Sequence, residues 1–160
     1  MLALVVVKEN SAGQRRSLRL SAVRKVVRAL QGRGFVVRKT SRKNIGGPRP
    51  ADLVVSAGGD GPLLAAARHL KKGQVLVGVN TDPLRSVGFL CGARGATFAG
   101  VLKNWLSGKL RPRPLRRLRV AVSGRGTRIE KALNDILVTS RHPAGTSRYL
   151  IRVKAGSKLR

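Results

Sequence analysis

Acidic side chains are what this sequence most lacks. Six Asp and Glu stand against 34 Lys and Arg, a formal charge of +28 over 160 residues. Self-repulsion of that size weakens a free monomer at low salt, so a polyanionic neighbour is expected. There is one cysteine, Cys91. That excludes an internal disulfide and a cysteine-rich zinc site. His69 and His142 are isolated, and no metal site is expected. The five aromatics, Phe35, Phe89, Phe98, Trp105 and Tyr149, fall mostly in apolar runs. Too few remain for base-stacking platforms of the single-strand-binding kind. No apolar run approaches the ~20 residues of a membrane span, and no membrane partner is expected. The opening "MLALVVV" is too short and lacks the basic lead of a secretory signal. No import signal is visible.

Apolar residues make up 42% of the chain, enough for a core. Leu2–Val7 is a continuous β-branched run of the kind that forms a buried parallel strand. Leu20, Val23, Val27 and Leu30 recur at helical spacing, and Gly32 and Gly34 stop that helix. Phe35–Val37, Leu53–Ser56 and Val75–Val79 read as further strands. Pro62–Leu70 and Thr97–Leu106 read as helices, and 41–50 as a loop. Alternating strands and helices imply an α/β fold with an open, parallel, Rossmann-like sheet. Near Gly108 the texture changes. Residues 118–122, 132–139 and 148–154 alternate as strands, and a partial antiparallel β unit is expected. The expected division is an α/β domain over 1–107 and a basic, partial β domain over 108–160.

Residues 56–64, "SAGGDGPLL", join a strand to a helix. Gly58, Gly59 and Gly61 let backbone N–H groups approach a phosphate, and the helix adds its positive end. Asp60 could orient Mg²⁺ or accept a proton from a hydroxyl. The same letters also suit a plain turn, with Asp60 bonding to nearby backbone N–H groups.

Three stretches in order, "ADLVVSAGGDGPLLAAARHL", "VGVNTDPLRSVGFLCG" and "ALNDILVTSRHPAGTSRYLIRV", resemble the NAD kinase family. The middle one, with Asn80-Thr81-Asp82-Pro83 and Arg85-Ser86, looks most like the mitochondrial type. The resemblance is tight over 51–92 and looser over 132–153. It implies an α/β domain followed by a β-sandwich-like domain, with the active site between them. It matches Gly58, Gly59 and Gly61 to the phosphate turn and Asp60 to the aspartate that activates the ribose hydroxyl. It places Asn80 in the next conserved loop, and Asn134 and Asp135 in an Asn-acid motif that contacts NAD. Three departures stand out. Pro62 replaces the usual Thr, Val87 stands where the mitochondrial type commonly has an acid, and the family's later Gly/Thr/Ser-rich motif does not follow residue 153.

Residues 50–100 hold five basic side chains, leaving 29 in the flanks. Acid-poor flanks of this kind suit phosphate contact with structured RNA. The residues expected to make it are Arg15, Arg16, Arg19, Arg38, Lys39, Arg42, Lys43, Arg111, Arg113, Arg116, Arg117, Arg119, Arg125, Arg152, Lys154, Lys158 and Arg160. The sequence is therefore read first as a structural, rRNA-binding subunit of the mitochondrial ribosome, with neighbouring ribosomal proteins as partners. On that reading it is a pseudoenzyme without cofactor. The second reading is an active NAD kinase that uses ATP, NAD and Mg²⁺, with another chain completing the cleft.

Overall fold

The computed structural model describes residues 1–8, 14–45, 51–124, 126–140, 142, 144–152, 154–155 and 158–159. Five parallel strands form one sheet: β1 (Leu2–Val7), β2 (Val36–Ser41), β3 (Leu53–Ala57), β4 (Val75–Asn80) and β5 (Ala93–Arg94). Their spatial order is β2-β1-β3-β4-β5. Helix α1 (Gln14–Gln31) connects β1 to β2, α2 (Asp60–His69) connects β3 to β4, and α3 (Phe98–Leu106) follows β5. The expected open parallel sheet is the observed one.

The central strands explain why the apolar runs were continuous. β3 is buried at all five positions, because its two faces meet different helices. Leu53, Val55 and Ala57 pack with Val23, Val26 and Leu30 of α1 and with Phe98 and Leu102 of α3. Val54 packs with Val6, Ile45 and Ala66 of α2 on the other face. Val5, Val6 and Val55 lose all solvent exposure, each contributing about 1.5–3 kcal/mol. α1 buries Val23, Val26 and Leu30, while Leu20 remains 44% exposed. Val23 and Leu30 are thus buried as expected, Val26 is buried where Val27 is only half-buried, and Leu20 lies outside the stripe. Gly34, at φ 74°, reverses the chain after α1.

β2 runs to Ser41, past the expected end at Val37. It is an edge strand carrying exposed Arg38 and Lys39, side chains that discourage pairing with another sheet. The expected loop over 41–50 is a turn at 42–44, and its residues 46–50 lie outside the described set.

After α3 comes an antiparallel hairpin of β6 (Leu118–Gly124) and β7 (Gly126–Ala132), in register from Leu118 opposite Ala132 to Gly124 opposite Gly126. This is the expected antiparallel β unit. Its second strand is not the one anticipated. Residues 133–140 and 144–152 contain no strand. Leu137, Val138, Leu150 and Ile151 are 85%, 71%, 77% and 70% exposed. Alternation alone does not make a strand when no ladder receives its backbone. Among the described residues, only the two-residue pair β8 (Lys154–Ala155) and β9 (Lys158–Leu159) follows. Among the described residues, no helix is long and apolar enough to cross a membrane.

Candidate functional site

The sheet reverses its winding between β1 and β3, which lie side by side although their connections leave toward opposite faces. Open α/β sheets bind ligands outside the carboxyl ends of the strands at such a point. Residues 58–61 occupy it, as the turn from β3 into α2. Gly58 N–H donates to the Val79 carbonyl at 2.9 Å, tying the turn to β4.

The glycines are needed for contact with neighbours as much as for backbone freedom. A Cβ on Gly58 would stand 2.6 Å from Pro62 Cγ, and one on Gly59 would meet Ser86 Oγ. Pro62 lies in the first turn of α2, where a missing N–H removes no helical bond. The N-cap is Gly59, and no side chain caps the helix. Gly61 is exposed, and a Cβ built on it would lie 3.9 Å from Arg42 Nη1. A guanidinium therefore reaches the turn from the segment after β2.

Asp60 is half-buried at the first position of α2. Its Oδ2 accepts from Phe89 N–H at 2.9 Å and its Oδ1 from Leu90 N–H at 2.8 Å. Its backbone partners lie across the turn in the loop after β4, not within its own helix. Asn80, 5% exposed, holds the other end of that loop. Its Nδ2 donates to the carbonyls of Ser86 at 2.7 Å and Val87 at 3.3 Å, and its Oδ1 accepts from Asp82 N–H at 3.0 Å. Gly88 sits against this amide at φ 60°. The strap 86–91 is thus stitched by Asn80 on one side and Asp60 on the other. Cys91 ends it, with Sγ 3.8 Å from the Gly58 carbonyl. Burial first, and the Asp60 charge second, push its thiol up to about 11.

The structure brings Gly58, Gly59, Asp60, Gly61 and Asn80 together. Asn134 and Asp135 stand apart on the exposed segment after β7. Asn134 adopts φ 88° and its Nδ2 donates to Asp135 Oδ2 at 2.9 Å. Among the described residues, no hydrogen bond joins either of them to the turn. No group of three or more His, Cys, Asp or Glu that could hold a metal occurs among the described residues. The sequence reading missed Arg42 at the turn and the Asp60 bonds to 89–90. The first signal was hidden because Arg42 was counted with the flanks.

The basic residues expected to contact RNA are spread over several elements, and some are used inside the fold. Arg19 Nη2 pairs with Asp82 Oδ2 at 3.1 Å, joining α1 to the loop after β4. Arg117 Nη1 donates to the carbonyls of Ala67 at 2.6 Å and Leu70 at 3.1 Å. These are carbonyls at the end of α2, which otherwise lack partners. Arg38 and Lys39 guard the sheet edge, and Arg42 and Lys43 follow it. Arg15 and Arg16 lie in the first turn of α1. Arg111, Arg113 and Arg116 are exposed before β6, Arg119 is exposed on it, and Arg152 is exposed later. Lys154 and Lys158 belong to β8 and β9. Arg125 and Arg160 lie outside the described residues.

No family model matches the chain. A probable NADH kinase of Oryza sativa subsp. japonica is 37% identical over 121 residues, 66% of this chain and 37% of that protein. The human NAD kinase 2, mitochondrial, is 34% identical over 131 residues, 79% of this chain and 30% of that protein. An NAD kinase of Methanospirillum hungatei is 30% identical over 108 residues, 67% of this chain and 38% of that protein. The chain spans roughly a third of the length of these relatives. The crystal structure of an NAD kinase from Archaeoglobus fulgidus in complex with ATP superposes with TM-score 0.49. It is 24% identical over 76% of this chain and 41% of that one.

These relatives overturn the first functional reading. They are named as kinases of NAD or NADH, and nothing among them points to a ribosome. The expectation of a non-catalytic, cofactor-free rRNA-binding subunit with structured RNA and ribosomal proteins as partners is therefore withdrawn. It rested on the charge together with the departures from the family pattern, and the fold uses part of that charge at a helix end, a sheet edge and an ion pair. The chain belongs to the NAD kinase family.

Proposed function

We propose that this chain forms the phosphate-binding α/β part of an enzyme that transfers the γ-phosphate of ATP to the 2′-hydroxyl of NAD or NADH. The observation that carries the reading is the turn at the switch point. There an exposed glycine at the start of α2 and the Arg42 guanidinium lie side by side. Backbone N–H groups, the helix dipole and a fixed cation acting together favour a polyphosphate.

In this reading Gly59 and Gly61 admit the phosphates, Gly58 shapes the turn through its bond to Val79, and Arg42 binds the phosphate charge. Asp60 accepts the proton of the attacking hydroxyl. Its two bonds to the strap orient the carboxylate and leave each oxygen with further acceptor capacity. Asn80 fixes the strap that Asp60 rests on. Asn134 and Asp135 are assigned to contact with the dinucleotide. Magnesium in phosphoryl transfer is commonly held by one or two carboxylates plus the phosphates themselves. A turn with one carboxylate fits that mode and does not fit an all-protein cage. When bound, the ion would offset charge on the transferred group. Relatives named as mitochondrial support a mitochondrial address, and the division into domains 1–107 and 108–160 is kept as part of the proposal.

The experiment is NADP and NADPH formation by the purified chain with ATP and Mg²⁺, alongside ATP binding by calorimetry. Arg42→Ala should weaken ATP binding about ten- to a hundredfold, the loss of one charge-assisted contact. Asp60→Asn should keep ATP binding and lower turnover by at least about a hundredfold. A chain that binds neither ATP nor dinucleotide defeats the proposal, and so does turnover that is indifferent to Asp60.

A further inference from the structure

β4 has a partner along its length on one side only. β3 pairs with Val75–Val79, whereas β5 reaches only Val79 and Asn80. Among the described residues, Val75 to Val77 therefore present an edge with no strand beside it, while Gly78 is buried against Cys91. Such an edge is a template for an added strand. Here it opens into a groove of about 860 Å³. Val75, Leu76 and Val77 line it along the edge, Leu102 and Trp105 of α3 on one flank, and Leu70 at the end of α2 on the other. A strand laid there would be covered on both faces, which calls for a continuous apolar run rather than an alternating one.

The entrance has a sign. Lys71 and Lys72 stand at one lip and Arg111 and Arg113 at the other, all four exposed. No acidic side chain is among the lining residues. A second copy of the chain, at +28, is repelled from this rim. Within these 160 residues no acidic flank is available, because no two of the six acidic residues are adjacent. Asp52, Asp60, Asp82 and Glu130 already bond elsewhere.

We infer that this groove is a docking site for an extended polypeptide segment of a partner protein. The segment has a short apolar core flanked by Asp or Glu, and it adds to the sheet beside β4. The open edge spans about three residues, which sets the minimum length of the core. Its backbone completes the ladder of Val75 to Val77, and its carboxylates meet the four cations. The site is distinct from the turn at 58–61, so it does not depend on the catalytic proposal.

Trp105 is the single tryptophan of the chain and lines the groove, so its emission reports occupancy directly. The probe is an eight-residue peptide with a central Val-Ile-Val-Val core and two acidic residues at each end. It is titrated against the full chain at about 150 mM salt. The expected result is a blue shift of Trp105 emission with saturable binding. Binding should be at least tenfold weaker for a peptide with proline in the core, which cannot donate to the ladder. It should be at least fivefold weaker for K71E/K72E, a surface change that circular dichroism can verify as folded. Equal binding of the proline peptide would mean adhesion by charge alone and would overturn the inference. So would the same emission shift with anionic phospholipid vesicles or with RNA at lower concentration than the peptide, or no shift at all.

Discussion

The strap over the glycine turn can be tested at Gly88. This residue has φ 60°, and a Cβ there would run into Asn80 Nδ2 and lie 2.9 Å from its Cγ and 3.1 Å from its Cβ. In Gly88→Ala the left-handed backbone alone costs about 1–2 kcal/mol. The added methyl also displaces the buried Asn80 amide from Ser86 and Val87, with two hydrogen bonds at about 1 kcal/mol each. The expected loss is about 3–4 kcal/mol. In an Asn80→Ala background the two nearest atoms are gone. Only the backbone cost and the 3.1 Å contact remain, so Gly88→Ala should then cost about 1–2 kcal/mol. The coupling is thus about 2 kcal/mol, well above the scatter of independent sites. Urea unfolding followed by Trp105 emission, with circular dichroism as a second probe, measures all four corners of the cycle. If Gly88→Ala costs the same with and without Asn80, the strap is not held as described.

Arg117→Ala should destabilise by about 1–2 kcal/mol, because two carbonyls at the end of α2 lose their donor, and Arg117→Lys should not restore both bonds; thermal melts decide this. Ser56 is fully buried, and among the described residues its Oγ has no hydrogen-bond partner, so Ser56→Ala should raise stability by up to about 1 kcal/mol, and a measured loss would contradict this account. The Cys91 thiol, pushed up to about 11 from 9.0, holds its proton more tightly when folded than unfolded. Its contribution to stability is complete below pH 9 and is lost as pH rises through 11. At pH 8 its alkylation by iodoacetamide should run tens of times slower in the native chain than in urea, roughly following the thiolate fraction. Asp60→Ala should speed the native reaction, by removing a negative charge and freeing the amides of Phe89 and Leu90, whose hydrogen exchange should quicken as well.

Much of the sheet could be read from the letters because parallel strands covered on both faces are continuous apolar runs. Leu2–Val7 and Leu53–Ala57 are of that kind. β5 could not be read, since two residues carry no period. The strands expected at 132–139 and 148–154 had a period, yet among the described residues only their ends, Ala132 and Lys154, enter a ladder, and pattern without a ladder is insufficient. In the site, the glycine turn and Asn80 were visible as motifs. The bonds from Asp60 to Phe89 and Leu90 cross 29 and 30 residues, a separation that local pattern does not encode. The charge was misread for the same reason. Arg42 belongs to a basic flank by position, but folding returns it to Gly61, and Arg19 and Arg117 turn inward to partners 63 and about 50 residues away.

α2 is anchored at both ends. The hairpin grips its last turn through Arg117, and Arg68 adds an exposed ion pair to Glu130 of β7 at 3.4 Å. Its first residue is sewn to the strap by Asp60. Ten helical residues make a stiff rod of about 15 Å with a handle at one end and the glycine turn at the other. A force that tilts the hairpin is therefore transmitted as a lever stroke to the turn, and whatever seats the hairpin also sets how far that turn stands open.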